Sequence, residues 1–364
     1  MMKERVLFWD ILKGLGIIAI VLGHCCRPAA PYVYSCHLAL FFFVSAFFYN
    51  EKKYLNSPFA YFGNLLKNNW PKYVFYLSLL IFMRNFFVRF AMDISVSYYE
   101  SIGQVMDSVA KAFVFSCSER FGGAMWFVLP NMIAGMVLAV SVCLSARVSS
   151  LVAKEKTRSR AKYIILVVLA ILLVAAFSRT PMIFGIHNSF LMLPVCLGAY
   201  FVRKAAGMDL SKYLKWWLAL AFTILIAILI KFAGMRVELS AKIKPGYFWL
   251  YVLSFTGIYV FMYLAKVIEK TPRFNKFIAW LGENSFPIMA LHFAAIKLVD
   301  RIYCLMIGEK NPAVIGKWVY SFPKLWWVYL IAGTVLPAIF GTIMRRIKKS
   351  VDKSLEKKSI KEQV

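Results

Sequence analysis

Apolar residues follow one another along this chain in segments of about 17–25 residues, separated by shorter polar stretches. A helix rises about 1.5 Å per residue, so a segment of this length crosses the hydrocarbon core of a bilayer. Every span should be helical, because a lipid-exposed backbone must satisfy its hydrogen bonds internally. The pattern predicts an all-α, polytopic membrane protein with ten spans, at 6–25, 33–49, 73–91, 124–145, 162–178, 187–203, 214–232, 246–265, 283–300 and 325–344.

The polar connections predict the orientation. Lysine and arginine cluster in the connections 147–162, 203–215 and 266–276 and in the C-terminal stretch. Cytoplasmic loops of membrane proteins carry such an excess, which places both termini in the cytoplasm. We expect a multi-pass protein of the plasma (inner) membrane, with one membrane domain over 1–345 and a basic cytoplasmic tail over 346–364.

Composition supports this class. Of the 364 residues, 61% are hydrophobic, which exceeds the 45–50% typical of soluble domains. A net charge of +27 is compatible with nucleic-acid binding. The charges lie between the spans, however, and no basic run is interleaved with exposed aromatic residues. We therefore expect membrane lipid as a partner and no nucleic acid.

The first span, Val6 to His24, contains three ionisable residues in an otherwise apolar segment: Asp10, Lys13 and His24. At about 100° per residue, His24 falls within about 20° of Lys13 around the helix, and Asp10 falls within about 40° of His24. A lysine at mid-depth in a bilayer costs about 3 kcal/mol. This polar stripe must therefore face protein or water, and we expect the chemistry of the protein there.

Two histidines are predicted near the outer mouth of a helical hairpin. His24 lies about 16 Å above Lys13, and His37 opens the second span after a connection with two prolines. Histidine suits proton transfer near neutral pH, which the activation of an alcohol nucleophile requires. A purely structural hydrogen bond to a carbonyl remains the alternative for either residue.

Several motifs resemble the membrane-bound acyltransferase 3 family. The first span reads RVLFWDILKGLG at 5–16 and LGH at 22–24, and the family has a basic residue, ten intervening residues and then histidine. The sequence YSCHLALFFFVS at 34–45 resembles the family's FHMPLFFFISG. Likewise MWFVL at 125–129 resembles LWFL, and LGENSFPIMALH at 281–292 resembles LGxNSxxIYLLH. The resemblance covers most of the chain and is greatest to the branch that O-acetylates sugars, including fucose.

The resemblance implies a reaction. The donor would be acetyl-CoA or another acyl-CoA reached from the cytoplasm, the acceptor a carbohydrate hydroxyl of the cell envelope, and no metal would take part. His24 matches the essential histidine of the family. It would deprotonate the acceptor hydroxyl or carry the acyl group transiently.

Three lysines are candidates for donor binding. Lys13 would hold the pantetheine or phosphate portion of the donor, or it pairs with Asp10 three residues away. Lys67 and Lys72 occupy the place of the family's Arg-x-x-Arg, without its bidentate geometry. Some branches place a glutamate after the tryptophan motif, and this chain has only Asn131 there. No carboxylate that could orient His24 is evident near that motif.

Four further residues are candidates. Arg84 lies inside a predicted span and would contact the donor or an oxyanion. Trp126 would stack on a sugar or belong to the interfacial aromatic belt, and we group it with Asn131 as acceptor-binding. We expect His187 in an interfacial loop and His292 in a packing hydrogen bond.

The long outer connection at about 92–123 leaves two alternatives. It could cover an acceptor site, or it could form an amphipathic helix on the membrane surface. A transporter or flippase of a glycan precursor is the competing function, because intramembrane charges also mark ion-coupled transport. Inverted repeats would favour that function, and none is evident.

Overall fold

The computed structural model describes residues 7–93, 96–116, 119–178, 182–239, 242–244 and 246–362. Within these residues the fold is almost entirely helical. The helices are α1 (Leu7–Cys25), α2 (Ala30–Tyr34), α3 (His37–Phe47), α4 (Glu51–Tyr54), α5 (Pro58–Arg89), α6 (Ile102–Phe113), α7 (Val128–Val152), α8 (Arg158–Phe177), α9 (His187–Leu191), α10 (Leu193–Ala206), α11 (Trp216–Lys231), α12 (Tyr247–Glu269), α13 (Phe274–Glu283), α14 (Ser285–Met306), α15 (Pro312–Ile315) and α16 (Trp326–Glu362).

Six helical segments in the described part of the chain are long and apolar enough to cross a membrane: Leu7–Cys25, Ala30–Phe47, Arg120–Val152, Glu155–Phe177, Tyr247–Glu269 and Pro323–Ser354. A pair bent by 46°, Ile183–Leu191 and Leu193–Ala206, makes a seventh. These segments confirm the prediction of an all-α polytopic membrane protein.

The other three predicted spans also coincide with helices, namely α5, α11 and α14. Helix α11 has only 16 residues, whereas α5 and α14 carry charged side chains within their apolar sequence. The number of ten spans and the cytoplasmic position of both termini therefore stay predictions.

Several predicted boundaries differ from those in the structure. Helix α5 begins at Pro58 rather than at 73, since asparagines and lysines between 64 and 72 interrupt the apolar residues of its first turns. The predicted span 33–49 is divided into α2 and α3. Helix α16 continues to Glu362, so the basic tail extends the last helix. The sequence did not predict α13 as a separate helix.

Helix α1 lies at the centre of the fold and packs against α3, α12, α13, α14 and α16. Its contact with α13 is backbone to backbone. A Cβ at Gly14 would lie 2.1 Å from the carbonyl oxygen of Ile278, and one at Gly282 only 1.8 Å from that of Asp10. Small residues allow helices to approach this closely in membrane proteins, so α13 fixes the position of the polar stripe.

The long outer connection is ordered where the structure describes it. It contains α6, which packs against α5, and the Trp70 indole nitrogen donates a hydrogen bond to the carbonyl oxygen of Phe113 at 2.9 Å. Ile102 and Met106 remain exposed on α6, as expected of a surface helix. Beyond α6, residues 120–127 form a 3₁₀ helix that leads into α7.

A short hairpin follows α11, where the sequence predicts no strand. Strand β1 (Arg236–Glu238) pairs antiparallel with β2 (Lys242–Lys244), with Val237 opposite Ile243. Strands of three residues are too short to give a recognisable alternation in the sequence. Strand β1 contacts α2, which places the hairpin beside the C-terminal end of α1.

Candidate active site

A cavity of about 480 Å³ lies at the C-terminal end of α1. We call it the histidine cavity. It brings together three of the residues predicted from the sequence with charged and aromatic residues from distant parts of the chain. Its wall includes His24, His37, Trp126, Glu119, Arg120, Glu238, Phe293 and Trp318.

Tyr34 orients the imidazole of His24. The Tyr34 hydroxyl oxygen lies 3.0 Å from the carbonyl oxygen of Gly23 and 3.2 Å from His24 Nδ1. A carbonyl can only accept, so the single hydroxyl proton is donated to Gly23 and the hydroxyl oxygen accepts from Nδ1–H. His24 is then the Nδ1–H tautomer, with the lone pair of Nε2 available for a substrate.

Local structure explains how Tyr34 reaches this position. Pro31 lies in the first turn of α2, where the missing N–H of proline removes no helical hydrogen bond. Helix α2 has only five residues and ends at Tyr34, so the chain turns back toward α1 within one short connection.

His37 also lines the histidine cavity, but it is anchored by the backbone. Its Nδ1 lies 2.8 Å from the carbonyl oxygen of Val33, which requires a proton on Nδ1. Its ring lies 5.0 Å from that of Tyr34, measured between centroids. The structure thus places both predicted histidines in one wall, with Tyr34 between them.

His292 supports His24 from behind the wall. The two rings stack with their centroids 5.3 Å apart and an interplanar angle of 27°. His292 Nδ1 lies 3.0 Å from the carbonyl oxygens of Ile288 and Met289, which is the packing hydrogen bond expected from the sequence. The fully buried His292 fixes the plane in which the His24 imidazole lies.

Glu119 and Glu238 both line the histidine cavity, although no carboxylate follows the tryptophan motif closely in the sequence. Glu119 directly precedes the 3₁₀ helix that carries Trp126, and Glu238 ends β1. Some branches of the family place a glutamate after the tryptophan motif, whereas Glu119 precedes Trp126 in the sequence. In the sequence, only the acidic character of the connection at about 92–123 points to Glu119.

Glu119 is almost fully buried and belongs to a polar network. It accepts hydrogen bonds from Arg84 Nη1 at 3.1 Å and from the Tyr99 hydroxyl at 2.9 Å. Burial raises the pKa of Glu119, although Tyr99 and Arg84 act in the opposite direction. A buried carboxyl with a raised pKa in a cavity wall is typical of sites that transfer protons.

Arg84 lies behind the cavity wall, whereas the sequence predicts a direct contact with substrate. Its guanidinium donates to Glu119, to the Tyr99 hydroxyl and to the carbonyl oxygen of Ser97, and it also lies over the Tyr99 ring. All of these hydrogen-bond partners of the guanidinium belong to the connection between α5 and α7. In this structure, Arg84 acts on the cavity through Glu119.

A second cavity, of about 210 Å³, lies nearer the N-terminal end of α1. Lys13 and Asn131 line it, and we call it the lysine cavity. Lys13 Nζ lies 2.6 Å from Asp10 Oδ1, as the pairing alternative predicted. Asn131 donates to Ser45 Oγ at 3.0 Å, so the structure places it near Lys13 rather than beside His24.

The two cavities follow one another along α1. Ile20 lines the histidine cavity and Ile17, one turn earlier, lines the lysine cavity. Phe127 belongs to both walls, and its ring centroid lies 6.0 Å from that of Phe41. The aromatic pair thus separates two spaces that share the polar stripe of the first helix.

The two lysines proposed from α5 have different positions. Lys72 lies over the ring of Phe286, at 5.8 Å from its centroid, and Phe286 lines the lysine cavity. Lys13 and Arg345 are both near enough to repel the Lys72 ammonium group electrostatically. Lys67 is exposed and lines neither cavity. Lys72 therefore lies beside the lysine cavity, whereas Lys67 does not.

Comparison with known proteins decides the family. A family model for the acyltransferase domain of the acyltransferase 3 family matches residues 6–346. The chain belongs to the acyltransferase 3 family. No curated protein and no solved structure matches it significantly.

This protein is thus a membrane acyltransferase. The family match covers every helix that lines the two cavities. Within the described residues of the acyltransferase, no group of three or more histidine, cysteine, aspartate or glutamate side chains is arranged to hold a metal ion.

Proposed function

We propose that this acyltransferase transfers an acetyl or other short acyl group from acyl-CoA to a hydroxyl group of a cell-envelope carbohydrate, with His24 as the catalytic residue. The orientation of His24 carries the proposal: Tyr34 holds Nδ1, which leaves Nε2 as the base in a cavity lined by polar and aromatic side chains. Such a cavity suits a sugar, which presents hydroxyl edges and apolar faces.

In the direct reaction, His24 Nε2 takes the proton of the acceptor hydroxyl. The alkoxide oxygen attacks the carbonyl carbon of the thioester, and the C–O bond forms as the C–S bond breaks. The leaving thiolate of CoA then receives the proton from the imidazolium. Products are an O-acyl sugar and CoA, and His24 returns to its neutral form.

The acyl-enzyme alternative uses the same nitrogen. Nε2 attacks the thioester carbonyl, the thiolate leaves, and an acyl-imidazole forms. The sugar oxygen then attacks the acyl carbon as the C–N bond to Nε2 breaks, and the hydroxyl proton passes through Nε2 to the thiolate of CoA. A rapid burst of CoA release in the absence of acceptor distinguishes this route from the direct one.

The donor would enter through the lysine cavity. Lys13 and Lys72 supply positive charge for the phosphates of acyl-CoA, and the predicted topology places this mouth toward the cytoplasm. The thioester would then pass Phe127 to reach His24, about 16 Å from Lys13 along the helix. The acceptor would occupy the histidine cavity from the opposite side of the membrane.

Membranes that contain the full-length protein, incubated with labelled acetyl-CoA and envelope glycans, test the proposal. We expect His24→Ala to lower label transfer by about 10³-fold, and Ser150→Ala, on an exposed part of α7, to leave it unchanged. Undiminished transfer by His24→Ala refutes the role of His24. Movement of glycan across the membrane without acylation would show the competing transport function.

A further inference from the structure

A third cavity, of about 340 Å³, adjoins the histidine cavity. We call it the side cavity. Trp126 and Leu239 belong to both walls, so a single layer of side chains separates the two spaces. His187 and Asn188 line the far wall of the side cavity. The proposed reaction at His24 does not use this space.

Gly185 lies against the Trp126 indole in the wall of the side cavity. This glycine has φ +69°, and a Cβ there would lie 3.3 Å from Trp126 Cε3. A side chain at position 185 would therefore fill the space against the indole. Aromatic rings bind the apolar faces of sugar rings through dispersion contacts, and Trp126 is partly exposed and lines this cavity.

Asn188 supplies a polar group that lacks a partner. The residue is only 3% exposed and lines the side cavity, and its carboxamide makes no hydrogen bond with any other described residue. Asn188 Nδ2 lies 3.5 Å from the position of the missing Gly185 Cβ, beside the indole. The carboxamide atoms are not enclosed by protein, so a ligand hydroxyl in the side cavity can hydrogen-bond to them.

His187 adds a donor to the same wall. Its Nδ1 accepts a hydrogen bond from the backbone N–H of Met182 at 3.4 Å. In the neutral ring the proton is then on Nε2, which can donate to a hydroxyl oxygen. An amide that both donates and accepts, an N–H donor and an aromatic face together match the chemistry of a sugar ring.

We propose that the side cavity binds the sugar adjacent to the one that is acylated, so that the acceptor is a glycan of at least two linked sugars. This inference rests on the proposed function at His24. The glycosidic bond would pass Trp126, the residue common to both cavities. A free monosaccharide would occupy the histidine cavity alone and would gain nothing from Asn188 and His187.

Acceptors of increasing length test the inference. The probes are the monosaccharides, disaccharides and trisaccharides released by partial hydrolysis from the envelope polysaccharide of the cells that make this protein, with labelled acetyl-CoA as donor. For the full-length protein in detergent, we expect kcat/KM to rise by about tenfold or more from monosaccharide to disaccharide. Equal values for the two would overturn the inference.

Two variants assign the effect to the side cavity. Asn188→Ala and His187→Ala should each lower kcat/KM for the disaccharide by about fivefold to tenfold through KM, with the monosaccharide rate unchanged. Because the monosaccharide rate reports folding and chemistry, a parallel loss on both acceptors contradicts the inference. The two tests can also diverge: His24→Ala abolishes acylation of every glycan while the wild-type protein uses short and long acceptors equally well. That pair of results would leave the proposed function intact and reject only the role of the side cavity.

Discussion

Gly23 and Tyr34 are in direct contact across the turn between α1 and α2: a Cβ at Gly23 would lie 2.3 Å from Tyr34 Cε1. No real Cβ tolerates that distance, so only glycine lets the tyrosine ring lie flat against the helix. The same approach brings the Tyr34 hydroxyl to His24 Nδ1. The residue that precedes the proposed catalytic histidine therefore determines how that histidine is oriented.

The first prediction concerns this orientation. Tyr34→Phe removes the acceptor for Nδ1–H, so the imidazole loses its preferred tautomer and ring position. We expect kcat to fall by about tenfold or more, with little change in KM for the donor. Gly23→Ala should act in the same direction by displacing the ring. Tyr32→Phe, at an exposed position two residues earlier, is the matched control, and a full kcat in Tyr34→Phe would contradict the assignment.

The second prediction concerns donor binding. Lys13→Ala should raise KM for acetyl-CoA by about tenfold, whereas Lys67→Ala should leave it unchanged, because only Lys13 lines the lysine cavity. Steady-state kinetics with varied acetyl-CoA measure both. If the two variants behave alike, the lysine cavity is not the donor site.

Loss of Lys13 also removes one ion pair of Asp10. The double variant Asp10→Asn, Lys13→Met removes the pair together and separates folding from donor binding. We expect it to recover thermal stability relative to Lys13→Ala while KM for acetyl-CoA remains high. Recovery of KM along with stability would show that Lys13 has a structural role only.

The third prediction concerns the length of the acyl group. Phe127 separates the lysine and histidine cavities, so Phe127→Ala should enlarge the passage between them. We expect the ratio of butyryl-CoA to acetyl-CoA use to rise by about tenfold, since each buried methylene contributes about 0.8 kcal/mol where space allows. Phe59→Ala, at an exposed position on α5, is the control. An unchanged ratio would show that Phe127 does not limit the acyl chain.

The fourth prediction concerns stability at low pH. Glu51 follows α3 and accepts charge-assisted hydrogen bonds from Lys162 and Lys204 and one from the Tyr200 hydroxyl at 2.9 Å. Burial alone would raise the pKa of Glu51, but these partners outweigh burial and lower it to about 2 from the ordinary 4.5. Since the folded pKa lies below the unfolded one, Glu51 contributes stability above pH about 5 that is lost as the pH falls toward 2.

Thermal unfolding in detergent at pH 7 and pH 3 measures this contribution. Wild type should lose more in Tm between the two pH values than Glu51→Gln, because the variant has no carboxylate to protonate at that position. Other carboxylates titrate equally in both proteins. Glu155→Gln, at an exposed position, should follow wild type. Equal losses in wild type and Glu51→Gln would show that the cluster does not stabilise the fold.

Some of the site could be read directly from the sequence. His24 and Lys13 were found because both belong to one helix, where angular spacing follows from residue number. His37 could be placed beside His24 because a short connection joins the two spans. Trp126 came from its motif, although the structure places it in the wall of two cavities rather than in one.

Other residues gave no such signal. Glu238 belongs to a three-residue strand, and Trp318 lies in a connection without any motif. Both reach the histidine cavity only because distant elements pack around the end of α1. For the same reason, the sequence does not show that Lys67 and Arg84 lie outside both cavities. A position along α5 does not tell which cavity, if any, the side chain faces.

The sequence by itself determined that this protein is a helical membrane acyltransferase with a polar stripe in its first helix. Those properties depend on apolar length, helical period and short motifs, all of which are local. Only the tertiary structure decided which groups share a cavity with His24, that Tyr34 orients it, and that a further cavity adjoins it. Contacts between residues far apart in the chain depend on how helices pack, and close packing between particular surfaces leaves no periodic signal along a single chain.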